Sequence, residues 1–462
     1  MGINNRQRRA AKARQRRGQH RTQGRARGSP GWAPGASGLL PPTIDELLLA
    51  AAEADLLGVD QIRTVSVDLL LERPPRHVAA VAGAQLERRL AAAWHFGWQP
   101  ADIARVAARR LGAIGRDIVT AAMASQARSY AAIGATAAPA WMAQLDEVGA
   151  CPHQADDTGA VLLRGENWAD TLLAGVGALS LLLSLPQLPC LVDPPERWRS
   201  GTVVDDGSLP PAILERIRAL LAKAESTTFE AEADALTAKA QELMARHRID
   251  QALLDASRAA AGGPTARPVG RRLGVDDPYA EAKAALLAGI ASANGGHAVW
   301  SKGLGFSTVF AHRGELDSIE ALFTSLLVQA TAALRREGSR SDRWGRSRTT
   351  RFRRSFLAAF AQRITERLHE AAAAAVEQAE AEARSEAGAE ASETAPSAGA
   401  LVPLLEARDQ ASRGAAEEAF PEMTFFSPSA SDREGWVAGR LFGDQADLGL
   451  GPSLQEGARR AG

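Results

Sequence analysis

The chain has 462 residues, 45% of them hydrophobic and 23% charged, which is ordinary globular composition and enough length for two to four domains. Its 54 basic and 54 acidic side chains sum to zero net charge, but the two signs are segregated along the sequence. Cys151 and Cys190 stand in no metal-ligand or CxxC spacing, which argues against a disulfide framework, and the longest apolar run, Thr171 to Leu185, falls short of the roughly 20 residues a membrane helix needs.

Residues 1–38 carry ten basic side chains, and the first acidic residue is Asp45. Like charges repel, and the segment has little apolar surface to offset the entropy of ordering, so a disordered tail is expected. No apolar stretch of signal-peptide type follows it, and a cytoplasmic location is the expectation. Residues 39–135 read as a helical domain. Thr43 with Glu46 has capping-box spacing, a second helix covers about 76–94, Pro100 suits the first turn of a third, and a fourth spans about 116–130.

Residues 136–209 hold one apolar helix and a Pro/Gly-rich linker. In 210–258, Ile213, Ile217, Leu220 and Leu221 recur at helical spacing, Thr227 and Glu230 fit a second capping box, and Asp250 suits the cap of a third helix. Residues 259–276 read as a linker. Residues 277–385 read as a helix–hairpin–helix module, its strands 297–301 and 306–312 joined through a Gly-containing loop. Residues 386–462 are expected to be flexible with short helices. The fold class is therefore mostly α: a multi-module helical protein with a small β-hairpin in an α+β C-terminal module and a disordered basic tail.

Residues 209–255 carry Leu220-Leu221-Ala222-Lys223-Ala224-Glu225-Ser226-Thr227, then Glu230-Ala231-Glu232-Ala233, then Ala238 through Arg246 and Ile249-Asp250. In order and spacing this segment resembles domain-of-unknown-function family 2786, found in bacteria and phages. The stretches 310–320, 354–361 and 363–368 are similar to the module of unknown function that follows it in many members. The resemblance implies a recurring architecture, with no activity, cofactor or catalytic residue attached.

Arginine is crowded twice. In the tail the candidate nucleic-acid contacts are Arg6, Arg8, Arg9, Arg14, Arg16 and Arg17. In residues 335–354, nine arginines face only Glu337 and Asp342, and the candidates are Arg343, Arg346, Arg348, Arg351, Arg353 and Arg354 with Trp344. Guanidinium pairs with phosphate in a bidentate manner and an indole stacks on unpaired bases, so DNA or RNA is the first partner expected. The competing account is a solvated loop, or neutralisation by the acidic run Glu370 to Glu393. Residues 97–111 also admit a helix-turn-helix reading through Arg105, Arg109 and Arg110, against plain helix packing. His297 and His312, at the two ends of the hairpin, are candidates to meet near Glu315 and Asp317 as a metal or acid–base site, against satisfied or exposed histidines.

Phosphate-loop, zinc-protease and Ser or Cys nucleophile signatures are absent, so no metal or cofactor is expected, and catalytic residues and reaction stay unassigned without excluding an enzyme. Three readings follow in rank: nucleic-acid association through the Arg-rich segments, a protein-interaction or phage-derived structural module, and an enzyme centred on the C-terminal module.

Overall fold

A computed structural model describes residues 41–133, 138–150, 157–197, 210–226, 230–263, 265–387, 401–424 and 430–445. The Arg-rich tail, Cys151 and the Thr227 cap lie outside them. From Ile44 onward the contacts form a single unit. Helices account for most of it, as the composition leads one to expect, joined by one three-stranded antiparallel sheet.

The first layer holds α1 (Ile44–Leu57), α2 (Asp60–Leu71), α3 (Pro75–His95), α4 (Pro100–Ala132), α5 (Pro139–Glu147), α6 (Thr158–Leu163) and α7 (Trp168–Leu183). The apolar run of the sequence is α7, and α1, α3, α4 and α6 pack around it. Leu172, Val176, Leu179 and Leu182 are buried there, as expected of a helix apolar over most of its circumference. No helix among the described residues is long and apolar enough to cross a membrane. The two helices read at 100–111 and 116–130 run together as α4. They are kinked at Gly112, whose φ of 77° is left-handed and open to glycine.

The second part begins with α8 (Pro211–Ser226) and α9 (Glu230–Ala260), which pair with each other. The third helix expected from Asp250 is absent as a separate element. The backbone runs through Asp250 because Leu253 continues the packed face of α9. A sheet follows: β1 (Val269–Gly274), β2 (His297–Ser301) and β3 (Phe306–Ala311), in the order β1-β3-β2. The hairpin is where the sequence put it, with His297 opposite Phe310. β1 is a correction, since those residues read as linker. Val-Gly-Arg-Arg-Leu-Gly has no apolar alternation, and the strand exists because β3 supplies a ladder from Val269↔Ala311 to Gly274↔Phe306.

β3 is buried along its whole length. Val309 and Ala311 face the core formed with α10 (Ala280–Ala293), α11 (Arg313–Arg336) and α12 (Thr349–Ala387). Phe306 and Phe310 point to the opposite face, as strand alternation requires. Phe306 joins the first layer beside Trp98, and Phe310 meets Phe420.

The chain closes with α13 (Leu401–Ala419) and α14 (Arg433–Gln445). α14 lies against α12 along Gly435, Gly439 and Gly443, one residue per turn. A Cβ at Gly435 or Gly439 would collide with the carbonyl oxygen of Phe352 or Phe356. The bare backbone is what lets Phe442 reach 5.8 Å and 5.5 Å from Phe356 and Phe360.

Gly439→Ala should therefore lift α14. Backbone cannot yield as a side chain can, so a loss of about 1–3 kcal/mol is expected from chemical denaturation. Gly414→Ala, where an added Cβ meets nothing, should cost much less.

Candidate functional site

Five segments, one of them the stretch Thr265 to Val269, converge on one cavity of about 580 Å³. α9 contributes His247, Arg248, Gln251 and Asp255, the first turn of α11 contributes His312, Gly314, Glu315 and Ser318, and Asn294 and Arg408 close the wall. Glu315 is its electrostatic centre, with its side chain only 5% exposed. Its Oε2 accepts the backbone N–H of His312 at 3.1 Å, and His312 Nδ1 lies 3.3 Å from that oxygen. Oε1 accepts from Arg408 Nη2 at 3.0 Å, and Arg248 Nε lies 3.7 Å away. Arg408 also pairs with Asp255, and Arg248 with Asp409 at 2.5 Å.

Burial alone would push the Glu315 carboxyl up. The imidazole of His312 and the charges of Arg408 and Arg248 outweigh it and hold the group below its ordinary value. Asp409 moves the other way, since desolvation dominates over Arg248. Burial lowers His247 against the pull of Asp250 and Glu315.

His297 does not join this group. It sits on β2, half-buried, where burial and then Arg413 lower its pKa. The pairing expected of His297 and His312 does not form: His312 lines the cavity with His247, whereas His297 lies on β2, which packs against the later helix Leu401–Ala419. Asp317, the other expected carboxylate, pairs with Arg271 of β1. Among the described residues no group of three or more His, Cys, Asp or Glu is arranged to hold a metal ion.

The arginine cluster is an ordered arch rather than a plain polar break. Ser341 bridges Ser347, and Asp342 Oδ1 accepts the N–H groups of Trp344 and Arg346 at 2.9 and 2.8 Å. Gly345 turns the tip with φ of 76°. Trp344, 63% exposed, lies under the guanidiniums of Arg343 at 3.9 Å and Arg346 at 5.0 Å. Arg351 and Arg354 are exposed, and Arg353 reaches the carbonyl of Gly338.

Arg348 points inward instead. Its Nε and Nη2 donate to Asp432 at 2.9 and 2.8 Å, and Nη2 lies 2.9 Å from Glu434. It is a fastener for α14. The tail candidates Arg6, Arg8, Arg9, Arg14, Arg16 and Arg17 lie outside the described residues.

The described part of the acidic run, Glu370 to Glu386, does not return to the arch. Arg351 and Glu370 ride on one continuous helix about 30 Å apart, several Debye lengths at physiological salt. The helix-turn-helix reading also fails. Arg105 grips Asp276 with 2.7 and 2.8 Å contacts, Arg109 meets Asp277 at 3.1 Å, and Arg110 meets Ser184. The face that would have met DNA is turned against this chain.

Together the fold and the cavity describe a helical protein whose paired α8–α9 unit walls a charged pocket. Residues 212–251 match the model of a protein family of unknown function, DUF2786. The match covers α8 and the cavity-lining part of α9 as far as Gln251. No curated protein and no solved structure matches the chain.

Glu315 titrates below its ordinary 4.5, so its stabilisation is fully present above that pH and is lost as pH falls through the lowered value. Glu315→Gln should cost about 3–5 kcal/mol at pH 7, since it strips a buried charge from its partners. The gap to the parent protein should narrow below pH 4.5. Urea titrations from pH 7 to pH 3 measure it, and a gap constant with pH would contradict this account.

Proposed function

We propose that this protein binds single-stranded nucleic acid through the arch of residues 335–354. The observation that carries the reading is the exposed Trp344 indole with Arg343 and Arg346 over it. An aromatic face offers a base a stacking surface whatever its sequence, and guanidinium beside it meets the flanking phosphates. The charge supports it as well. Nine arginines face four carboxylates, Glu337, Asp342, Asp432 and Glu434, so five positive charges remain in excess.

Duplex is the poorer ligand on this reading, because its bases are already stacked. Binding is sequence-tolerant and salt-dependent, since phosphate contact releases condensed counterions.

Anisotropy of labelled single strands against salt tests it with the full chain. Trp344→Ala should weaken binding by about 1–3 kcal/mol, roughly five- to a hundredfold. The double variant Arg343→Ser/Arg354→Ser should lower the salt slope by about 1.4, at about 0.7 per phosphate contact on a single strand. Equal affinity of the parent and Trp344→Ala, or preference for duplex, would remove the reading.

A further inference from the structure

We propose that the cavity between α9 and the first turn of α11 binds a phosphomonoester, with its phosphate among the cavity's arginines. The site is independent of the Arg335–Arg354 arch.

The first support is unmet polarity. Buried polar atoms with incomplete hydrogen bonding converge on this one cavity: His247 Nε2 has no partner, while His312 Nδ1, Arg248 Nε and Asp255 Oδ1 have only ion-pair neighbours at 3.3, 3.7 and 3.8 Å. Buried polar atoms are rarely left so, and a convergence of them in one space marks a place where a ligand or water completes the set. Arg248 Nε is a donor, and an imidazole nitrogen donates in the matching tautomer or when protonated, which suits an acceptor-rich guest.

The second support is charge. Five arginines line the cavity against two carboxylates, Asp255 and Glu315. Both carboxylates are already engaged by Arg408. At the rim, Arg258 is 58% exposed and its nearest carboxylate, Asp255, is 3.8 Å away, and Arg267 is exposed. The inner guanidiniums are fixed by ion pairs and so pre-oriented, while the rim keeps unspent positive charge. The first turn of the 24-residue α11 lines the same space through Gly314 and Glu315, so its positive dipole end lies at the cavity.

The third support is shape and lining. The volume fits a small ligand. No Phe, Tyr or Trp is among the described residues that line it. Gln251, Asn294, Ser318 and Thr265 offer hydrogen bonds instead, which suits a hydroxylated organic part such as a sugar better than a stacked base. The same phosphate chemistry is found on a free sugar phosphate and on the terminal phosphate of a nucleic-acid strand.

Calorimetric titration of the full chain with inorganic phosphate, ribose 5-phosphate and ribose tests the proposal. Both phosphates should bind and ribose should not. Arg258→Ser/Arg267→Ser changes only exposed side chains, so it should unfold like the parent. It should weaken phosphate binding by about tenfold or more, the scale of a lost charge-assisted hydrogen bond. Trp344→Ala should leave phosphate binding unchanged, which keeps failure here distinct from failure of the arch. A 5′-phosphorylated oligonucleotide that outbinds its 5′-hydroxyl twin, with the gain lost in the double variant, identifies a strand end as the source. Absence of that gain identifies the free phosphomonoester. No heat with inorganic phosphate, or undiminished binding by the folded double variant, overturns the proposal.

Discussion

A carboxylate sealed from water has to be met by cations, and Glu315 shows how far that requirement reaches. Its partners Arg248 and Arg408 come from α9 and α13, helices that have no reason of local sequence to meet. The same guanidiniums continue to Asp409 and Asp255, so one network pins three helices at the head of α11. Charges arranged in this way leave room between them. The cavity is the space an apolar core would have filled, and its walls carry polar atoms because the network put them there. Removing one member exposes the others to the desolvation they now share.

The junction with the first layer uses the same device in a simpler form. Arg272 of β1, 2% exposed, donates to Asp102 at 2.6 Å and to the carbonyls of Gly97 and Pro189 at 2.8 and 2.7 Å. Burial nevertheless wins at Asp102, and its pKa is raised despite Arg272 and Arg105. At Glu315 three cationic or hydrogen-bonding side chains oppose the same penalty, and the pKa falls. Gly97 makes the contact feasible, since a Cβ there would strike the carbonyl oxygens of Leu188 and Pro189.

What was legible in the sequence followed from local chemistry. The hairpin showed through its glycine loop and β-branched and aromatic residues, α11 and α12 through their periodicity, and α8 and α9 through an order of small and charged residues that resembles a family's. What was not legible depended on distant partners. β1 has no strand pattern and exists through β3. The stripe Gly435, Gly439, Gly443 reads as helix-weakening until α12 is laid against it. Arg248 and Arg408 look like any surface arginine, because the carboxylate they serve is 93 residues from Arg408. His312 and Glu315 had the three-residue spacing of a helix start, the one local signal at the cavity, although His is not among the usual cap residues.

The arch shows why counting charges along a chain misjudges a surface. The sequence set two carboxylates against nine arginines and looked for neutralisation in the nearest acidic run, which is carried away down α12. The neutralising groups are Asp432 and Glu434, at the start of a helix some 80 residues on, and they reach Arg340 and Arg348 only because the glycine stripe lets α14 lie flat. Their effect is selective. They take up the guanidiniums at the base of the arch, while Arg343, Arg351 and Arg354 stay exposed and Arg343 lies over Trp344. A base tied by ion pairs leaves less entropy to lose when a ligand binds. Pairing at the base and openness at the tip are thus two halves of one arrangement, and loosening α14 should weaken the tip without touching it.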